Sequence, residues 1–199
     1  MRQLILASTS AARAAMLRRA GLSCDVMAPM VDEEAIKSGL LAEGVPTRDV
    51  ADALAEAKAV KLSGKYPGAM VIGADQMLEL DDGTTLDKPQ SPDEAVAHLG
   101  MMSGKTHKLL SAIVVAEAGQ PVWRFVATSR LLMRPLSQAF ISNYVARHWE
   151  DIRHCVGCYQ IEGAGAQLFS HIKGTHFDIM GLPLLPLLGF LRERGLVEL

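Results

Sequence analysis

The chain has 199 residues, 49% of them hydrophobic, with 20 Lys and Arg against 22 Asp and Glu and a formal net charge of -2. The absent basic surplus excludes binding of DNA or RNA by bulk charge, and the high apolar fraction excludes a disordered chain. Three cysteines are too few for a disulfide framework, which predicts a reducing, cytoplasmic setting, and no apolar run approaches the roughly 18 residues that span a bilayer, so no membrane is expected as a partner.

The opening segment turns polar too soon for a signal peptide and reads as a buried strand over residues 3–7. Ser8-Thr9-Ser10 leads into a helix over 11–20, with Gly21 as its stop. A second strand over 23–30 reaches Asp32-Glu33-Glu34, and residues 36–46, with Gly39, Gly44 and Pro46, read as a loop. Thr47 caps a helix over 48–63 whose apolar stripe is Val50, Ala53, Leu54 and Ala57, and Gly64 ends it. Residues 70–74 form a short central strand, and Asp81-Asp82-Gly83 is a hairpin turn before 84–87. Ser91-Pro92-Asp93-Glu94 offers a cap, a Pro at the first helical position and a Glu three residues after the cap, so a helix runs to Met102. Strands over 106–117 and 121–133 are joined by Ala118-Gly119-Gln120, and a helix over 137–149 follows. Residues 155–165 are loop-like, 166–173 a strand, and Pro183 opens a last helix to Arg194. Strands and helices that alternate with hairpins predict an α/β class with a mixed sheet.

Five sets of residues could carry chemistry. The turn Ser8-Thr9-Ser10 opens a helix whose N-H groups suit phosphate oxygens, and Arg13 could add a charge-assisted fork; capping by Ser10 and a solvated Arg13 are the plainer alternative. Asp75 follows an apolar strand, where a carboxylate is costly unless paired or bound to a cation. Asp32-Glu33-Glu34 could hold Mg²⁺ through oxygen ligands, or form a solvated charge run. Lys88 ends the hairpin that starts at Asp75. Lys58 and Lys61 both lie at the edge of a helical stripe, and helix geometry does not choose between them. Cys155-Val156-Gly157-Cys158 is an isolated CxxC in a loop, without the second pair a zinc site needs or the helix a redox motif opens.

In this order and spacing the segments resemble the Maf-like nucleotide pyrophosphatases, a family also described as septum formation inhibitors. The resemblance is carried by Leu4-Ile5-Leu6-Ala7-Ser8-Thr9-Ser10 with Arg13, Val31-Asp32-Glu33, and Leu54-Ala55-Glu56-Ala57-Lys58-Ala59. It continues through Val71-Ile72-Gly73-Ala74-Asp75-Gln76, Lys88-Pro89 and Met102-Ser103-Gly104-Lys105-Thr106-His107, and closes with Gly163-Ala164-Gly165 and Gly181-Leu182-Pro183.

The resemblance implies one domain over residues 1–199, with an elongated mixed sheet and two lobes around a nucleotide cleft, as in the inosine triphosphate pyrophosphatases. It implies hydrolysis of a nucleoside triphosphate to the monophosphate and pyrophosphate, with Mg²⁺ or Mn²⁺ as cofactor, in a cytoplasmic homodimer. Asp75, Glu33, Lys58 and Lys88 would be the catalytic set, with Glu33 and Asp75 as metal ligands and either one the base. Ser8, Ser10, Arg13, Ala12, Gln76 and Glu162 would meet the substrate. Gln76 and Glu162 resemble the branch that acts on 7-methyl-GTP, while Ala12 stands where that branch often has an aromatic side chain. A nucleotide-binding regulator of cell division with little catalysis is the alternative.

Overall fold

The structure, a computed structural model, describes residues 3–197, so the first two residues of the opening segment lie outside it. Its seven strands form one mixed sheet. The strand order, numbered along the chain, is β2-β1-β3-β5-β6-β7, with β4 paired to β3 off this path. The chain divides into two compact units. One holds the residues up to Gln76, Ser111–Ala127 and those from Met180 on; the other holds Met77–Leu110 and Thr128–Ile179.

In the first unit, β1 (Leu4–Ala7) is buried at every position and pairs in parallel with β2 (Asp25–Met27) on one side and β3 (Met70–Leu80) on the other. Strand β2 is shorter than the expected 23–30. Helix α1 (Ala11–Arg19) starts as expected from Ser10, and Gly21, at φ +79°, takes the chain out of it.

Residues 36–46 are a departure: instead of a loop, helix α2 spans Glu33–Ala42. Asp32 caps it by accepting a hydrogen bond from the Ala35 N–H at 3.1 Å, and Glu33 and Glu34 complement the helix dipole in the first turn. These terms outweigh the cost of Gly39 inside the helix, and the true stop is Gly44 at φ +74°.

Helix α3 (Thr47–Lys65) is capped by Pro46, not by Thr47, which is already its first residue, and it runs through Gly64. Strand β3 also exceeds expectation, continuing six residues past Ala74 to Leu80. Asp75 is therefore inside a strand and not beyond its end. Ile5, Ala7, Leu62, Ala69 and Val71 form an apolar cluster in this unit, each large side chain contributing about 1.5–3 kcal/mol by burial.

In the second unit the far half of β3 pairs antiparallel with β4 (Thr85–Leu86) around the Asp81–Gly83 turn. Helix α4 (Pro92–Met102) has the expected Ser91 cap and packs on α5 (Gln138–Ile152). Strands β5 (Thr106–Glu117) and β6 (Gln120–Met133) lie where the apolar patterns put them. The first part of the expected strand 166–173 is instead a 3₁₀ turn over Ala164–Leu168, and β7 (Phe169–Lys173) follows, antiparallel to β6. A one-turn helix α6 (His176–Ile179), without a sequence signal, ends this unit. Helix α7 (Leu184–Glu193), with Pro183 as its cap, belongs to the first. Among the described residues no helix is long and apolar enough to cross a membrane.

Candidate active site

The first unit holds eight of the ten expected residues, and several of them meet around the middle of β3. Gly73 sets the geometry. A Cβ there would lie 2.1 Å from the Ala55 carbonyl oxygen and 2.7 Å from the Ala59 nitrogen, so only glycine lets α3 rest backbone-to-backbone on the strand. The small residues Ala55 and Ala59 complete this approach, and Lys58 lies between them on the same helix.

Lys58 Nζ donates to Asp75 Oδ1 at 2.7 Å and pairs with Glu33 Oε2, also at 2.7 Å. Lys58 is buried, and Lys61, the other candidate, is exposed. Helix α2 supplies Glu33 as its first residue, so the acidic cluster divides its labour: Asp32 caps the helix and Glu33 faces the lysine. The Asp75 side chain is only 11% exposed and that of Glu33 is 50% exposed. Burial raises the Asp75 pKa, Lys58 and Arg13 oppose the rise, and Glu33 adds to it. The net effect is a carboxylate that takes up a proton more readily than a surface aspartate.

Arg13 is not on a solvated face. Its Nε donates to the Gly181 carbonyl at 2.7 Å, and Nη1 donates to the Ala74 carbonyl at 2.9 Å and to Ser8 Oγ at 3.3 Å. Burial lowers its pKa, against the pull of Asp75 and Glu33, and the guanidinium stays charged. Arg13 thus ties the turn after β1 to the strand that carries Asp75 and to the segment before α7. Ser10 Oγ accepts from the Arg13 N–H at 3.4 Å, so Ser10 is the helix cap of the plainer alternative. Ser8 is buried and its Oγ accepts from the Ser10 N–H at 3.2 Å. Ala12 sits half-buried on α1. Gln76 Nε2 donates to Ser111 Oγ at 2.8 Å. Ser111 escaped the sequence reading. Its only signal is a hydroxyl inside the apolar run of β5, where it is fully buried.

The second unit holds Lys88 and Glu162, both exposed. The Cys155 thiol is pushed up to about 11, chiefly by burial, with the charge of Glu162 adding to the rise and that of Lys88 opposing it. Burial likewise pushes Cys158 up to about 12, so neither thiol forms the thiolate that redox or zinc chemistry needs at neutral pH.

Glu33 and Asp75 aim two hard oxygen donors at one cationic position, an arrangement that suits Mg²⁺ with phosphate oxygens and water as its other ligands. Among the described residues no group of three or more His, Cys, Asp or Glu gathers to bind a metal by itself.

A family model described as "Maf-like protein" matches residues 3–194. The chain is 54% identical over 193 residues to a protein of Sphingopyxis alaskensis named nucleoside triphosphate pyrophosphatase, which covers 97% of this chain and 98% of that one. It is 55% identical over 195 residues to a protein of the same name from Ruegeria pomeroyi, covering 98% of each. A third such protein, from Caulobacter vibrioides, is 53% identical over 190 residues, covering 96% of this chain and 94% of its own length.

Proposed function

Because the chain belongs to the Maf-like family, we propose that it hydrolyses a nucleoside triphosphate to the nucleoside monophosphate and pyrophosphate. The observation that carries this reading is the buried Lys58 between Asp75 and Glu33. In the reaction a water oxygen bonds to the α-phosphorus, the bridging bond to the β-phosphate breaks, and pyrophosphate leaves. Asp75 takes the proton of the attacking water, a role its raised pKa favours. Lys58 holds Asp75 in place through Oδ1 and brings positive charge to the phosphates. Glu33, with Asp75 where its carboxylate is not taking the proton, would hold Mg²⁺, which would supply positive charge to the phosphate chain.

Ser8 and Arg13 serve the phosphates beside the helix N-terminus that Ser10 caps, and Lys88 belongs to the same proposal as a further phosphate contact. Gln76 and Glu162 favour 7-methyl-GTP as substrate, because a carboxylate can accept hydrogen bonds from the N1–H and amino group of guanine, which uracil lacks. Assembly as a homodimer is part of the same proposal and is read by light scattering. Three unpaired cysteines support a cytoplasmic setting.

The test is a panel of 7-methyl-GTP, dTTP, UTP, CTP and inosine triphosphate with Mg²⁺. Release of pyrophosphate, fastest from 7-methyl-GTP, is expected. Orthophosphate release or no turnover overturns the reading, and tight binding with negligible cleavage points to the regulator of division.

A further inference from the structure

His107 and Tyr159 form a polar pair at the centre of the second unit. His107 is fully buried on β5, and its Nε2 lies 2.8 Å from the Tyr159 hydroxyl. Its Nδ1 is buried and has no hydrogen-bond partner among the described residues. The rings of His107, Tyr159 and Phe169 pack together, Tyr159 edge-on to Phe169 at 4.7 Å. Burial holds His107 neutral, with its pKa lowered to about 4. Two phenyl rings would fill this space without desolvating either polar group. What the polar pair adds is direction, since a hydrogen bond holds Tyr159 at one angle where apolar packing tolerates several.

Tyr159 anchors a segment without regular structure. The Cys155 carbonyl accepts from the Cys158 N–H at 3.1 Å, and Cys158 takes a left-handed φ of +57°, which a β-carbon disfavours. The segment folds closely around the tyrosine. A Cβ on Gly157 would fall 2.3 Å from the Tyr159 ring, and one on Gly165 would fall 2.5 Å from the Gln160 carbonyl oxygen. Glu162 leaves this segment three residues after Tyr159 and is exposed.

We propose that His107 is a positioning residue for base recognition: its hydrogen bond to Tyr159 fixes the Cys155–Glu162 segment and thereby the place of the Glu162 carboxylate. The proposal rests on the reading of Glu162 as the group that meets the base.

Kinetics of Tyr159→Phe, His107→Phe, His107→Gln and Glu162→Gln with 7-methyl-GTP and UTP test it. Tyr159→Phe removes one oxygen and His107→Phe removes both ring nitrogens. Both are expected to raise KM for 7-methyl-GTP about tenfold, leave kcat within twofold and leave UTP unchanged. His107→Gln keeps a polar partner for the hydroxyl and is expected to restore part of the selectivity. A structural role alone would lower the melting temperature without moving the ratio between the two substrates. If the Tyr159 and His107 variants keep the wild-type ratio while Glu162→Gln loses it, the positioning role is overturned and the role of Glu162 stands. If Glu162→Gln also keeps the ratio, the reading of Glu162 fails and takes the proposal with it.

Discussion

Asp75 and His107 are both buried titratable groups on strands, one in each unit, and their surroundings treat them oppositely. Asp75 has Lys58 at 2.7 Å and feels Arg13, so burial raises its pKa against two opposing cations. His107 has a neutral phenol as its hydrogen-bond partner, and burial alone drives its pKa down to about 4. A buried group can be kept close to its charged form for chemistry, or left neutral to give direction to a hydrogen bond. The first requires opposite charges at contact distance; the second requires only that they be absent.

The largest effect should come from the charged region. Asp75→Asn is expected to lower kcat roughly 10²–10⁴-fold, the usual contribution of a general base. Its melting temperature should hold or rise. A folded pKa above the unfolded one means that ionisation costs stability near neutral pH, and the amide removes that cost while still accepting from Lys58. In the wild type, the rate should fall as pH drops through the raised pKa of Asp75, so the acid limb should lie above that of an ordinary aspartate. Near-normal turnover by the variant, or an acid limb at an unperturbed aspartate value, would remove Asp75 as the base.

The neutral region should appear in stability. The folded His107 pKa of about 4 lies below the ordinary 6.5, so the unfolded chain binds the extra proton between these values. Stability tied to His107 is fully present above about pH 6.5 and is lost as pH falls to about 4, by about 3 kcal/mol in all. Urea unfolding across that window should show the slope in the wild type and a weaker one in His107→Phe. Equal slopes would mean that other groups dominate acid unfolding.

The next effect tests how the charged region is assembled. Gly73→Ala places a methyl group against the Ala55 and Ala59 backbone and is expected to cost about 1–3 kcal/mol, the usual range for overpacking. Because it shifts α3 on β3, it should also lower kcat by moving Lys58 from Asp75. Unchanged stability and activity would show that the helix can withdraw without consequence.

Gly73 also shows what was legible in the sequence. The short apolar run before Asp75 marked a central strand, and the costly carboxylate marked a candidate site. Lys58 could not be separated from Lys61, because both border the same stripe, and the choice depends on which helix face Gly73 admits. Helix α2 was hidden because Gly39 and Gly44 read as loop signals, while the Asp32 cap looked like part of an acidic run. The long strands β5 and β6 were legible because their apolar patterns persist for many residues. His107 lacked such a signal. Its partner lies 52 residues away, and no local pattern encodes that distance.

The smallest effect concerns the CxxC and sharpens the contrast from the other side. Cys158 is fully buried with its Sγ 3.8 Å from His98 Nδ1, and Cys155 is half-buried. With pKa values of about 11 and about 12, roughly one thiol in ten thousand or fewer is ionised at pH 7. Alkylation by iodoacetamide at pH 7 should therefore be far slower than for a free cysteine, and Cys155→Ser with Cys158→Ser should leave kcat/KM within about twofold. Lys88 does lower the Cys155 pKa, but burial and Glu162 outweigh it. That balance differs from the one at Asp75, where the lysine makes a direct 2.7 Å bond. Rapid alkylation would show that proximity to a cation suffices, without a direct bond, to keep a half-buried group charged, and the distinction between the two regions would then rest on distance less than on burial.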